Sequence, residues 1–246
     1  MMTSQRTLSS LARTVAAAVA IASLPCIAPA ATIVGGSDLL SAADADQLEA
    51  WLGEGPLTLT NIFDKAAGNT GDDFHTAADG MGRTFSIVEL VGDFSGHVLD
   101  EPIIVGGYNP LSWNSLNAWN VTPLDADRTA FVFNLNLGMK FDQRRDSSTI
   151  NYGYFQTYGG DAMYFGGGFD LYVDWGLYYS SSYLYSYGSD DDRGKTIIGY
   201  PNVSFGNYLV GQMEVFTISA VPEPETWMLM LGGLGMLGVA ARRRRA

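Results

Sequence analysis

The side chains best able to do chemistry are few. His75, in Phe74-His75, and His97, in "FSGHVLD", are the only two histidines, too few for a multi-histidine metal site. Histidine titrates near neutral pH and can move protons, but neither sits in a nucleophile or metal motif. His75 is read as a structural hydrogen bonder and His97 as a turn residue. Residues 31–221 contain no cysteine, which excludes disulfides, thiolate nucleophiles and cysteine-ligated zinc. There is no Gly-x-Ser-x-Gly elbow and no phosphate-binding glycine loop with a lysine. Phe165-Gly166-Gly167-Gly168-Phe169-Asp170 lacks the strand–helix setting of a nucleotide site and reads as a tight bend. Asp190, Asp191 and Asp192 carry the hard oxygens that Ca²⁺ takes, but "SDDDRG" lacks the alternating ligands of a calcium loop and reads as solvated. Asp170 and Asp174 fall on one strand face about 13 Å apart by strand rise, too far to share a proton. No catalytic residue, cofactor or metal ligand is expected.

What remains is aromatic. Tyr178, Tyr179, Tyr183, Tyr185 and Tyr187 crowd one segment, and such amphipathic rings can stack on sugars or on protein partners. Strand alternation sends about half of them into a core.

The elements that would position these residues are mostly strands. A helix is expected after Ser41, a good N-cap with Asp44 three residues on, carrying Leu48, Trp51 and Leu52 and stopping at Gly53. Leu57–Phe63 reads as a strand, and "DDFHTAADGMG" as a short helix with a glycine turn. Thr84–Val91 is apolar on both faces, as a strand between layers would be. Ile103–Tyr108 is a β-branched strand whose glycines suggest a bulge or a close approach. In "AFVFNLNLG", Phe131, Phe133, Leu135 and Leu137 are expected inward and Val132, Asn134 and Asn136 outward. In "FDLYVDW", Phe169, Leu171, Val173 and Trp175 are expected inward and Asp170, Tyr172 and Asp174 outward. "LYYSSSYLYSYGSDDDRG" reads as a strand end and an exposed, mobile acidic loop, and Val210–Ser219 as the final strand. The expected class is α+β, mostly β: a two-sheet antiparallel β-sandwich flanked by a few short helices.

Residues 31–221 carry eight Lys/Arg against 24 Asp/Glu, a formal charge of −16 where the whole chain has −12. A surface this acidic repels nucleic acid and anionic lipid. Before it, Arg6 and Arg13 precede the apolar run Val15–Leu24, and Ala28-Pro29-Ala30 offers a cleavage site, so 1–30 read as a secretory signal peptide. After it, Pro222, Glu223 and Pro224 precede the uncharged stretch Thr226–Ala241, a short membrane helix of roughly 24 Å. Arg242, Arg243, Arg244 and Arg245 follow and should stay cytoplasmic.

Pro-Glu-Pro, a short apolar helix and an arginine cluster together resemble the PEP-CTERM sorting signal, placed at 222–246. The resemblance implies an exosortase as partner and a Gram-negative bacterium that makes exopolysaccharide or biofilm matrix. It also implies transient anchoring in the inner membrane, then release to the cell surface or beyond.

The intervening domain resembles the TLDc domain from about Leu39 to Ile218. The resemblance rests on an ordered series: the opening helix; Phe74-His75, then Asp79-Gly80-Met81-Gly82 and Thr84; Gly106-Gly107-Tyr108 with Trp113; Ala130–Phe133; Phe165–Leu171 with Gly166, Gly168 and Asp170; and Glu214-Val215-Phe216. It implies a two-sheet sandwich with structural motif residues. The family is mostly eukaryotic and intracellular, so its links to oxidative stress and the vacuolar proton pump do not transfer to an exported chain. The expected function is a non-enzymatic binding or structural role at the surface or in the matrix, with exopolysaccharide or surface proteins as partners. The alternatives are a carboxylate-dependent hydrolase of extracellular polysaccharide and a lectin-like carbohydrate-binding sandwich.

Overall fold

The computed structural model describes residues 30–145, 152–201 and 207–221. The expected signal peptide up to residue 29, and the sorting signal 222–246 with its apolar helix, lie outside the described residues. Among the described residues no helix is long and apolar enough to cross a membrane.

Among the described residues, twelve strands and two α-helices follow one another along the chain. β1 (Thr32–Val34) leads into α1 (Ala42–Leu52), β2 (Leu57–Asp64) and α2 (Gly71–Ala78). A long hairpin, β3 (Thr84–Asp93) and β4 (Val98–Asn109), precedes β5 (Trp119–Val121). Then come β6 (Phe131–Asn134), β7 (Met139–Asp142), β8 (Phe155–Tyr158), β9 (Met163–Phe165), β10 (Leu171–Val173), β11 (Tyr179–Ser181) and β12 (Tyr208–Ala220).

The expected sandwich is one continuous ladder folded over on itself, in the order β5-β8-β9-β10-β11-β12-β3-β4-β6-β7. β12 is the fold line. Its first two residues pair with β11, whereas Glu214–Ala220 pair with β2, and β3 runs along its other side. Every ladder is antiparallel except β1 on β2. β5 and β7 remain as edges, so the sheet does not close into a barrel.

Folding over buries two cores. The larger lies between the halves, where Val88, Leu90, Val105, Val132 and Met213 meet Met163, Phe165, Leu171 and Val173. The second lies on the opposite face of β2, β12, β3, β4 and β6, where Leu59, Phe85, Ile87, Phe133 and Phe216 are covered by Ala45 and Leu48 of α1. β3 therefore has no solvent face over most of its length, which is why its sequence does not alternate. α1 begins as its sequence signals. Ser41 and Asp44 form a reciprocal capping box, and Gly53 ends the helix in a left-handed conformation, its N–H on Glu49 O at 2.9 Å.

Two alternating patterns end sooner than expected. The strand at "AFVFNLNLG" stops at Asn134 and a hairpin turn takes Leu135–Gly138. Asn134 is buried rather than outward, because its carboxamide accepts from Leu137 N at 3.0 Å and donates to Ile197 O at 2.8 Å. Leu137, expected inward, is 47 per cent exposed. In "FDLYVDW" only Leu171–Val173 is strand; Leu171 and Val173 are inward as expected, whereas Tyr172, expected outward, is turned to the other side of the sheet but only 8 per cent exposed. Phe169 and Asp170 belong to the preceding turn and exchange roles: Asp170 is fully buried, and Phe169 is 39 per cent exposed with φ at +62°.

Candidate functional site

α2 places the Phe74-His75 pair. Thr70 and Asp73 cap the helix reciprocally, and Gly71 is packed so closely on Trp175 that a Cβ would lie 2.6 Å from the indole. Phe74 points into the larger core, edge-on to Phe63 and Trp113. His75 is 4 per cent exposed, with Nδ1 2.7 Å from Asp79 Oδ1 and Nε2 3.0 Å from the Asp161 carbonyl. Its ring stacks on Trp175 at 5.7 Å. Both nitrogens are thus engaged, Nδ1 with the C-cap of α2 itself and Nε2 with the loop before β9. His97 is exposed in the β3–β4 turn, its N–H on Asp93 Oδ1.

The glycines of the series mark close approaches and turns. Gly80 and Gly82 have φ of +72° and +78°, and their N–H groups donate to Trp113 O and Ser112 Oγ. Trp113 itself donates from Nε1 to Thr84 Oγ1 at 3.0 Å inside the core. Gly106 and Gly107, adjacent on β4, face opposite cores. A Cβ on Gly106 would lie 2.5 Å from the Phe133 ring, and one on Gly107 2.5 Å from the Phe165 ring.

Gly166–Phe169 is the β9–β10 turn, with Gly166 at φ +71°. A side chain at Gly166 would collide with the Asp170 carboxylate, and one at Gly168 with Tyr185. Asp170 Oδ1 accepts from the backbone N–H groups of Tyr185, Ser186 and Tyr187 at 2.6, 2.8 and 2.9 Å. Burial pushes this carboxyl up to about 7, against those N–H bonds, which favour its ionised form. Glu214 does similar work at the other end of the domain. Its Oε1 accepts from Asp38 N at 2.6 Å and its Oε2 from Ser37 Oγ, which fixes the segment leading into α1. Burial raises this carboxyl too.

The acidic run Asp190–Asp192 is an exposed 3₁₀ turn with paired ends. Asp190 bridges to Arg144, and Asp192 accepts from Tyr200 Oη at 2.8 Å and from Ser189 Oγ at 2.6 Å. It rims a cleft of about 630 Å³ that no motif foretold, lined by Lys140, Asp142, Arg145 and Tyr200 among others. The cations there are engaged: Lys140 pairs with Asp142 at 2.9 Å, and Arg145 donates to the Arg128 carbonyl.

The outer half of the sheet carries a second feature. Each of β5, β8, β9, β10 and β11 turns one aromatic ring to the same side: Trp119, Tyr158, Tyr164, Tyr172 and Tyr179. Neighbouring rings touch, with centroids 4.8 Å apart for Trp119–Tyr158, 5.6 Å for Tyr158–Tyr164, 5.3 Å for Tyr164–Tyr172 and 5.9 Å for Tyr172–Tyr179. Phe169 lies flat on Tyr164 at 4.9 Å, and Phe94 extends the row beyond Tyr179 at 5.7 Å. Hydroxyls are interleaved with polar groups: Tyr172 Oη donates to Asp161 at 3.3 Å, and Tyr158 Oη donates to Asn117. Burial raises the Tyr164 phenol to about 12, with Asp170 and Asp161 adding to the shift, so it remains a neutral donor. Tyr178 and Tyr179, singled out in the sequence, belong to this row. Tyr187, by contrast, is core.

The motif side chains named are thus bonded or packed within the fold, and beside them lie a cleft and a partly exposed aromatic row. Comparison with characterised proteins gives no match. Residues 220–245 match the PEP-CTERM protein-sorting motif, the signal by which exported proteins of Gram-negative bacteria are handed to an exosortase and sorted to the cell surface.

Proposed function

We propose that this exported, surface-sorted protein is a TLDc-like β-sandwich that acts by binding or as a structural part of the cell surface or matrix, without catalysis. One observation carries the reading. Of the ionisable side chains of the ordered motif series, His75, Asp170 and Glu214 are buried and bonded to groups that fix the fold, and Asp79, 28 per cent exposed, is engaged by His75. General acid–base catalysis needs such a group within reach of a substrate proton. The TLDc resemblance is supported by its ordered motifs falling at the opening helix, the glycine approaches of β4 and the β9–β10 turn. The test is to incubate the secreted protein with extracellular polysaccharide over a range of pH. Retention on the polymer without new reducing ends is expected, and turnover overturns the reading.

The second reading is a carboxylate-dependent hydrolase, and Asp161 is the observation that favours it. This half-buried carboxyl lies under the aromatic row, and burial raises it, with Asp174 contributing. Turnover that Asp161→Asn abolishes would select the hydrolase.

A further inference from the structure

The aromatic row crosses five adjacent strands, and strand spacing makes it about 19 Å long. Its middle rings, Tyr164 and Tyr172, are only 7 and 8 per cent exposed, so what a ligand can reach is Phe169 over them and Phe94 and Tyr178 at the end. The sheet's inner face is already packed by Met163, Phe165, Leu171 and Val173, and the row lies on the other side. Phe94 and Tyr178 at its end are 54 and 60 per cent exposed. Phe169 is held at φ +62°, an unfavourable backbone for a bulky residue, with its ring flat against Tyr164.

The charge around the row is one-sided. The sequence has no lysine or arginine from residue 84 to 127 or from 146 to 192, so none of the five strands carries a cation. The ionisable groups beside the rings are carboxylates, Asp161 at Tyr172, Asp174 accepting from Tyr178 N and Tyr179 N, and Asp93 before Phe94, together with one histidine, His97, in the turn that carries Phe94. Such a face repels uronates, phosphates and nucleic acid. It offers flat apolar rings with hydroxyl donors and carboxylate acceptors between them, which suits a ligand with apolar C–H faces and hydroxyl edges.

We propose that the outer face of β5, β8, β9, β10 and β11 binds an extended, uncharged polysaccharide, whose sugar rings stack on the exposed Phe169, Phe94 and Tyr178 of the aromatic row and hydrogen-bond to the hydroxyls and carboxylates beside it. This rests on the binding reading above and names its ligand class. The acidic matrix polymers carried by many cell surfaces are excluded by the same charges.

The test uses the secreted protein in co-sedimentation with microcrystalline cellulose, insoluble β-1,3-glucan and mannan, with alginate as the acidic polymer. Binding to at least one neutral polymer and none to alginate is expected. Phe94→Ala/Tyr178→Ala, at exposed positions, should weaken that binding about tenfold or more with an unchanged melting temperature. Trp119→Ala should weaken it as well, and the exposed pair keeps the test valid should that variant fail to fold. Failure to bind any neutral polymer, equal binding to alginate, or full affinity in the double variant overturns the proposal. So does self-association of the wild type that the double variant abolishes, which would make the row an interface between copies. Retention on the producing bacterium's own matrix without neutral-polymer binding would overturn the ligand class and leave the binding reading intact. Shortening of a bound neutral polymer would leave the ligand class standing and overturn only the absence of catalysis.

Discussion

Asp170 holds Tyr187 across seventeen residues of chain: one buried carboxylate oxygen accepts the Tyr187 N–H at 2.9 Å together with the two N–H groups before it. The tyrosine-rich segment is thereby folded back on the β9–β10 turn. Tyr187 enters the core and its hydroxyl donates to Gln156 O at 2.8 Å. The turn's glycines follow from this anchor, since a side chain at Gly166 would occupy the space of the carboxylate.

This anchor makes stability depend on pH. The Asp170 carboxyl is raised to about 7 in the fold, whereas an unfolded aspartate titrates near 3.9, a value for model peptides. Between these limits the folded state holds a proton that the unfolded state lacks, so stability falls as pH rises through that window. Asp170→Asn keeps an oxygen for the three N–H groups and removes the buried charge. Urea melts should show a shallower decline for the variant from about pH 4 to 7, and stability at pH 8 no lower than wild type. Glu214, raised in the same direction, accounts for part of what decline remains. A variant that declines as steeply as wild type would contradict the role given to Asp170.

Gly107→Ala should be destabilising by about 1–3 kcal/mol through overpacking on Phe165. Trimming the ring with Phe165→Leu should recover part of that loss in the double variant, because the two positions touch. Additive losses in chemical denaturation would mean that the close approach is not what glycine serves there.

Phe133→Ala removes a fully buried ring that packs on Trp51 at 5.6 Å and covers Gly106. A loss of about 3–5 kcal/mol is expected, the usual cost of emptying such a site. A negligible loss would mean that the second core contributes little.

The sorting signal predicts a processed chain. In the native host the protein should lose its tail near Pro222-Glu223-Pro224, within the matched sorting motif. In a host without an exosortase it should stay at full length and membrane-bound. Mass spectrometry of surface-located native protein decides this, and an intact Arg242–Arg245 cluster there would leave only a plain anchor.

What the sequence made legible was set locally. The capping box at Ser41 and Asp44 and the glycine stop at Gly53 are short-range signals, and α1 has the expected ends. β3 could be read as an inner strand because both of its faces are apolar. Alternation misled where a polar residue builds a turn instead of facing water, as at Asn134 and Asp170, each buried and bonded to backbone. The aromatic row was half visible: Tyr178 and Tyr179 stood out in a cluster, but Trp119, Tyr158, Tyr164 and Tyr172 become neighbours only through a strand order no local pattern encodes. The cleft beside Tyr200 gave no signal for the same reason.

The central claim, that this domain binds at the cell surface without catalysis, is tested most directly by incubating the processed native protein with polysaccharide from its own extracellular matrix, then measuring protein retained and reducing ends released. The account predicts retention that saturates with protein concentration and no reducing ends above the protein-free control. Release of reducing ends that rises with time and shows a pH optimum would contradict it.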